Sequence, residues 1–170
     1  VQSGKTENYA GHIAKAVDAG YRIIIVLAGM HTNLRRQTQL RLAKDLAFKD
    51  IQSKSGIAWI QATGEYDDFG KPDITGALRA ENNVVVAVVK KHEKRLENVA
   101  RWLRQIDGSN SNLLEHRAVL VIDDESDQAT PNTLESKNLI STINKRVRSI
   151  WRAIPTGTYV AYTATPFANV

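Results

Sequence analysis

The sequence predicts an α/β fold in which a mostly parallel β-sheet is flanked by helices. Short β-branched runs alternate along the chain with helical patterns, as expected of strands joined by helical crossovers. The run RIIIVLA at residues 22–28 is almost continuously apolar, which favours a parallel strand covered on both faces. The 170 residues, of which 42% are hydrophobic, suffice for one buried core. We therefore expect a single domain over residues 1–170.

The predicted elements follow one another in the order that such a fold requires. Apolar residues recur at helical intervals over residues 5–19, and Gly20 stands where that helix would end. The strand at 22–28 comes next, and a second helix is predicted over 33–48. The later elements are predicted as helices within 96–106 and 140–154 and as strands at 57–62, 84–89, 119–123 and 158–163.

Two stretches do not fit this alternation. Residues 64–83 are rich in Gly, Asp and Asn, and residues 107–112 also have the composition of a loop. About 20 residues of irregular chain are unusual inside a compact domain. The first stretch is therefore predicted to be either a functional insertion or the location of an element with a weak pattern.

Composition and charge limit the classes of partner. The chain carries 23 Lys and Arg against 18 Asp and Glu, a net charge of +5 that favours polyanionic partners but is also compatible with ordinary solubility. It has no cysteine, which excludes disulfides and thiolate metal sites. Its apolar runs are far shorter than the roughly 20 residues of a membrane helix, and a signal-peptide pattern is absent. We expect a cytoplasmic protein with no membrane partner and no disulfide partner.

The N-terminal sequence contains the second half of a phosphate-binding loop. Ser3, Gly4, Lys5 and Thr6 match the end of GxxxxGK[ST], in which Lys reaches the terminal phosphates and the hydroxyl binds Mg²⁺. The motif would open a helix whose N-terminus attracts phosphate. With Gln2, these residues form the predicted ATP-binding segment. A chance Gly-Lys-Thr at a helix start is the alternative.

An acidic cluster ends the predicted strand at 119–123. Carboxylates at a strand end are costly unless a cation neutralises them, and Mg²⁺ bound to nucleotide phosphates would do so. We assign Asp124 to the metal and Glu125 to the attacking water. Asp123 could take the metal role instead, because the register is open by one residue. The alternative is a capping cluster for the next helix.

A pair of hydroxyls follows the last predicted strand. Thr163 and Thr165 flank one small residue at the strand end, where they could bond both the acidic cluster and a mobile segment. The pair therefore predicts a coupling role between sites. An ordinary turn is the alternative, because Thr-Pro commonly ends a strand.

Three stretches together resemble a known family. VQSGKT at the N-terminus, IDDESDQATPNT at 122–133 and AYTATPFAN near the C-terminus resemble the Z-one domain family, which is classed with endonucleases of restriction-like and phage-defence settings in bacteria. In the same order, SGKT, DESD and TAT are similar to three motifs of the first motor domain of superfamily two helicases.

The resemblance implies a RecA-like P-loop NTPase lobe that uses ATP and Mg²⁺ and acts on DNA. Lys5, Asp124 and Glu125 would be its catalytic residues. The phosphate loop would lack its preceding strand, and the later motifs would belong to a second RecA-like lobe of a longer parent chain. We therefore expect the fragment alone to bind ATP weakly and to hydrolyse it poorly.

The segment after the strand at 23–29 corresponds to the helicase motif that contacts the nucleic-acid backbone. Its polar side chains have the chemistry for phosphate contacts, although a solvated basic helix face is the alternative. Lys90 and Lys91 follow the strand at 84–89, at a similar strand end, and could contact the same nucleic acid. The basic run at 145–152 is interpreted as the solvent side of an amphipathic helix. The predicted DNA contacts are Thr32, Asn33, Arg35, Arg36 and Gln39.

Two other functions remain open at the level of sequence. One is a Mg²⁺-dependent DNA endonuclease that uses the acidic cluster directly. Its usual (D/E)xK signature occurs only at Glu135-Ser136-Lys137, where a helix begins, and this placement argues against cleavage. The other is a DNA-binding module without catalysis. The four histidines are scattered and are predicted to lie at the surface or in loops.

Overall fold

A five-stranded, all-parallel sheet forms the centre of the domain. The computed structural model describes residues 3–47, 56–70, 74, 76–109, 113–124 and 134–162. The strand order is β2-β3-β1-β4-β5, and every neighbouring pair is parallel. The prediction of an α/β fold with a parallel sheet flanked by helices is therefore confirmed. The strands are β1 (Ile23–Ala28), β2 (Ala58–Gln61), β3 (Asn83–Lys90), β4 (Val119–Asp124) and β5 (Gly157–Tyr162).

Four helices cover the two faces of the sheet. Helices α1 and α2 share one core with the sheet, and α3 and α4 share the core on the opposite face. Each predicted helix is present, with its ends shifted by a few residues, and the predicted loop at 107–112 is in part the last turn of α3. No described helix is long and apolar enough to cross a bilayer. The helices are α1 (Ser3–Asp18), α2 (Thr32–Asp45), α3 (Glu93–Ser109) and α4 (Leu134–Trp151).

Strand β1 shows why the apolar run is continuous. Side chains alternate between the two faces of a strand. Ile23, Ile25 and Leu27 lie in the core beside α3 and α4, whereas Ile24 and Val26 lie in the core beside α1 and α2. All five are fully buried. Neither face of this central strand can therefore carry a polar residue without cost.

The irregular stretch at 64–83 contains an element that its composition hides. A short 3₁₀ helix spans Ala77–Arg79, and its Leu78 is fully buried. Phe69 is also fully buried, and its ring packs edge-on against Trp102 of α3 with a centroid distance of 5.6 Å. Arg95 donates a hydrogen bond to the Phe69 carbonyl at 3.1 Å. The stretch therefore supplies two anchors to the core beside α3.

Gly157 lies where β5 begins beside β4, and we predict that Gly157→Ala destabilises the domain. A Cβ atom there would lie 2.4 Å from the Val119 carbonyl oxygen and 2.8 Å from Ile154 Cγ2. Because a backbone oxygen cannot move away easily, the expected loss is about 1–3 kcal/mol of unfolding free energy. Urea denaturation measures it.

Gly11→Ala is the matched control for Gly157→Ala. Gly11 lies in α1, and no atom of the described residues would be within 4 Å of its Cβ. Alanine is the better helix former, so this variant is expected to gain about 0.5–1 kcal/mol. Equal urea midpoints for the two variants would contradict the prediction.

Candidate functional site

The two carboxylates at the end of β4 point to opposite faces of the sheet. Asp123 continues the Val121 side, toward α3 and α4, and Asp124 continues the Ile122 side, toward α1. Tyr9 of α1 donates a hydrogen bond to Asp124 Oδ2 at 2.8 Å, which confirms the orientation of that side chain. The two carboxylates therefore do not share one site.

Asp123 is held in a buried ion pair. Its side chain is 8% exposed, and its Oδ1 lies 2.5 Å from Lys91 Nζ. Tyr159 of β5 donates a hydrogen bond to Oδ2. Burial raises the pKa of Tyr159, and the hydrogen bond to Asp123 raises it further, so the phenol keeps its proton and remains a donor. The charge of Asp123 is thus balanced within the protein, so of the two predicted metal ligands Asp123 is the less suited to bind a cation.

Lys91 links the ends of β3 and β4, the two strands that lie on either side of β1. It follows β3 directly, its side chain is 6% exposed, and its Nζ also donates to the Asp124 backbone carbonyl at 2.7 Å. The ammonium therefore holds both residues at the end of β4. Because its ammonium is buried and paired, Lys91 is not available to DNA in this conformation, contrary to the role that its position at a strand end predicts.

One carboxylate oxygen of Asp124 has no hydrogen-bond partner among the described residues. This oxygen, Oδ1, is also buried. Around Oδ2, Tyr9 packs edge-on against Tyr162 with a centroid distance of 5.1 Å. Burial raises the pKa of Tyr162, and the charge of Asp124 adds to this effect. A buried acceptor without a donor is unusual in proteins, and a carboxylate oxygen of this kind is suited to bind a cation.

Helix α1 contacts Asp124 through Tyr9 of its second turn. The helix opens at Ser3, so Gly4, Lys5 and Thr6 belong to its first turn. Tyr9, which contacts Asp124, follows Thr6 by three residues, a rise of about 4.5 Å along the helix axis. The fold thus brings the start of α1 to the carboxyl end of β4. The side chains of residues 3–8, and all of Gln2, Glu125, Thr163 and Thr165, lie outside the described part.

The described residues fit a metal site shared with phosphate and water better than a site formed by protein ligands alone. No group of three or more His, Asp or Glu residues gathers within the described ranges. A site formed by protein ligands alone is therefore not seen there. Mg²⁺ in phosphate-transfer sites usually takes one or two protein oxygens and completes its shell with phosphate and water. One open oxygen on Asp124 beside a helix N-terminus fits that arrangement.

The predicted DNA contacts on α2 separate into buried and exposed residues. Thr32 and Asn33 are exposed, and the Arg36 side chain is 43% exposed. Arg35 and Gln39 are only 1% and 2% exposed. Since their side chains face the interior, they are not available to a nucleic acid in this conformation. The prediction that these two contact DNA is corrected accordingly.

The guanidinium of Arg35 holds the segment that follows β2. It donates to the carbonyls of Gly64 at 3.0 Å and Glu65 at 2.5 Å. No carboxylate pairs with it among the described residues.

Gln39 forms a hydrogen bond to the same segment after β2. Its Oε1 accepts from Thr63 Oγ1 at 2.7 Å, and this hydroxyl accepts from the Val88 N–H at 2.8 Å. Through these hydrogen bonds, the buried side chains of Arg35 and Gln39 hold residues 63–65 against α2, and Thr63 also bonds to β3.

The exposed side chains at the carboxyl edge of the sheet near α2 include positive charges, one of which is paired with a carboxylate. Arg36 pairs with Glu65 and lies over the Tyr66 ring, 4.5 Å from its centroid. The hydrogen bond from Arg36 lowers the pKa of Glu65. Lys90 Nζ donates to Thr32 Oγ1 at 3.1 Å, so two predicted contact regions meet at the carboxyl edge of the sheet.

The features of a nuclease do not assemble in the described residues. Glu135-Ser136-Lys137 lies in α4 and not on a strand, as the sequence predicts. All four histidines are exposed, which confirms their predicted position at the surface. One of them, His12, contacts the Tyr162 hydroxyl through Nδ1 at 2.6 Å.

Sequence reasoning missed the Lys91 ion pair and the tyrosines around Asp124. A signal for the ion pair was present, because the ends of parallel strands meet at one edge of a sheet, and here a lysine follows one strand while acids end another.

The fold is a five-stranded parallel sheet flanked by helices, consistent with Rossmann-like and RecA-like folds. Comparisons with protein-family models, with curated proteins and with solved structures find no match. The resemblance to the Z-one family thus stays a prediction.

Proposed function

We propose that the chain is the ATP-binding lobe of a helicase-like, DNA-dependent ATPase or translocase of a bacterial restriction or phage-defence system. The observation that carries the proposal is the hydrogen bond from Tyr9 to Asp124. It joins the helix that opens with Gly-Lys-Thr to the acidic end of β4, although these motifs are more than 100 residues apart in sequence. A chance tripeptide at a helix start would not require this juxtaposition.

The roles of the residues follow from their chemistry. Lys5 and the free N–H groups of the first turn of α1 bind phosphate oxygens. Thr6 and Asp124 hold Mg²⁺, with Asp124 Oδ1 as the open acceptor. Bound Mg²⁺ would neutralise phosphate charge as the terminal phosphoryl group leaves. Glu125 follows Asp124 directly and orients the attacking water.

Further parts of the proposal extend beyond the nucleotide. Thr163 and Thr165 follow β5, the neighbour of β4, and couple the acidic end to DNA. Thr32, Asn33 and Arg36 contact the DNA backbone at the carboxyl edge. A second RecA-like lobe completes the ATP site and supplies the arginine that stabilises transferred phosphate. Such an activity on DNA implies a cytoplasmic location.

Nucleotide binding by the chain tests the proposal. A fluorescent ATP analogue is titrated with and without Mg²⁺ against Lys5→Ala and Asp124→Asn. We expect Lys5→Ala to weaken binding at least about tenfold, the effect of losing one charge-assisted hydrogen bond. Asp124→Asn should remove most of the dependence on Mg²⁺. Lys15→Ala, an exposed lysine of the same helix, is the control and should bind like the unchanged chain.

Hydrolysis separates the proposal from its alternatives. In a chain extended by the second lobe, Lys5→Ala and Glu125→Gln should each lower DNA-stimulated turnover by about 100-fold or more. Mg²⁺-dependent DNA cleavage that survives Lys5→Ala would instead establish an endonuclease. Failure to bind or hydrolyse ATP, together with salt-sensitive DNA binding, would establish a binding module.

A further inference from the structure

A groove runs between α4 and the edge strand β5, on the face of the sheet opposite α1. Its recess has a volume of about 470 Å³, and Asp123 lies at its floor. Asn144, Val147 and Arg148 line the α4 side. A second recess of about 360 Å³ continues along α4 toward its N-terminal end. The two recesses share Asn144 and Arg148 and so adjoin each other along α4, and together they are called the groove.

Two aromatic rings form the wall of the groove at its β5 end. Trp151 and Tyr159 are 41% and 36% exposed, unusually high for large apolar side chains. Their ring centroids are 6.0 Å apart, and the planes meet at 70°. The Tyr159 hydroxyl is fixed by Asp123. The wall is therefore a preorganised surface on which a flat group could stack.

Three cationic side chains line the α4 side of the groove. Lys137, Lys145 and Arg148 are exposed, and within the described ranges none of them forms an ion pair. From first to last they span about 16 Å along the helix axis. Arg146 differs, because it turns toward α3 and pairs with Glu93 at 2.7 Å. The basic run, which the sequence predicts to face solvent, is thus divided: Lys145 and Arg148 line the groove, and Arg146 pairs with α3.

The described residues that line the groove carry a net positive charge. Its floor carboxylate, Asp123, is balanced by Lys91 at 2.5 Å and does not oppose the three cations. A ligand that fits must combine negative charges spread over more than 10 Å with a flat apolar group at one end. Single-stranded nucleic acid has both features, since its phosphates repeat along the strand and its bases are free to stack.

We propose that the groove between α4 and β5 binds single-stranded nucleic acid, with phosphates on Lys137, Lys145 and Arg148 and a base against Trp151 and Tyr159. Duplex DNA fits less well, because its bases are already stacked within the helix. The groove lies on the sheet face opposite Asp124 and α1. Binding in it therefore requires no ATP, and the inference stands or falls independently of the nucleotide site.

Fluorescence anisotropy of a labelled oligothymidylate, without nucleotide and at several salt concentrations, tests the proposal. Three phosphate contacts predict a slope of log K against log salt near about −2. Arg148→Gln should reduce the slope by about 0.7. Trp151→Leu should weaken binding about tenfold with little change of slope, since stacking is not a charge interaction. An oligouridylate arm distinguishes RNA from DNA as the source of the strand.

A charge-matched variant outside the groove controls for a non-specific loss of positive charge. Lys15→Gln removes the same charge from α1, on the other face, and should leave affinity nearly unchanged. Unchanged melting temperatures show that the exposed positions tolerate substitution. Equal weakening by Lys15→Gln and Arg148→Gln would overturn the proposal, as would normal binding by Trp151→Leu. Tighter binding of duplex DNA, or displacement by polyglutamate as efficient as by oligothymidylate, would also overturn it.

Discussion

Lys91→Met is expected to lower the free energy of unfolding by about 3–5 kcal/mol. The ammonium is the only cation paired with Asp123 in the described part of the chain, and both side chains are less than 10% exposed. Removing it leaves a carboxylate buried with the Tyr159 hydroxyl as its remaining described partner. The same change also takes a donor from the Asp124 carbonyl and should loosen the end of β4.

Lys90→Met provides the matched control for Lys91→Met. Lys90 is the preceding residue, is more exposed, and bonds only to the Thr32 hydroxyl among the described side-chain contacts. Its replacement should change stability by no more than about 0.5 kcal/mol in urea denaturation. The double variant Lys91→Met/Asp123→Leu should recover most of the loss, because no unpaired charge remains. Similar losses for Lys90→Met and Lys91→Met would show that the ion pair does not matter.

Arg35→Met should destabilise the domain by about 3 kcal/mol. The guanidinium is 1% exposed and donates to two carbonyls of the segment after β2, at 3.0 and 2.5 Å. Hydrogen bonds from a charged donor are worth about 1.5–3 kcal/mol each, and some of the lost bonds will be replaced by water. Amide hydrogen exchange should increase mainly over residues 61–66, where those carbonyls lie.

Arg36→Met separates stability from DNA binding. Its guanidinium is exposed and pairs with Glu65, so the loss of stability should be much smaller than for Arg35→Met. At a temperature where both variants are folded, Arg36→Met should weaken DNA binding and Arg35→Met should not. The reverse result would restore Arg35 as the contact residue and contradict the role of its buried hydrogen bonds.

Much of the fold could be predicted because local pattern and tertiary structure agree. Strand β1 is apolar at every position, and this requires cover on both faces. Helices α1, α3 and α4 have apolar faces that match the two cores. Helix α2 differs, because Leu42 is the only apolar residue among its four buried ones. The stretch at 64–83 was less predictable, because Phe69 and Leu78 are isolated apolar residues in a polar segment and show no periodicity.

The candidate site was predictable in its residue types but not in its geometry. Glycine, lysine and threonine at a helix start, and acids at a strand end, carry recognisable chemistry without any contact information. Which acid faces α1 depends on the strand register, since a shift of one residue exchanges the two faces. The hydrogen bond from Tyr9 to Asp124 places Asp124 on that face.

The sequence by itself determined the class of fold, the order of its elements and the positions of the two motifs at the ends of α1 and β4. Only the tertiary structure decided that Asp123 pairs with Lys91, that Arg35 and Gln39 are buried, and that the basic run of α4 is divided. The physical reason is that periodicity records which faces are apolar. The burial of a polar side chain depends on which distant segment lies over it and offers a partner.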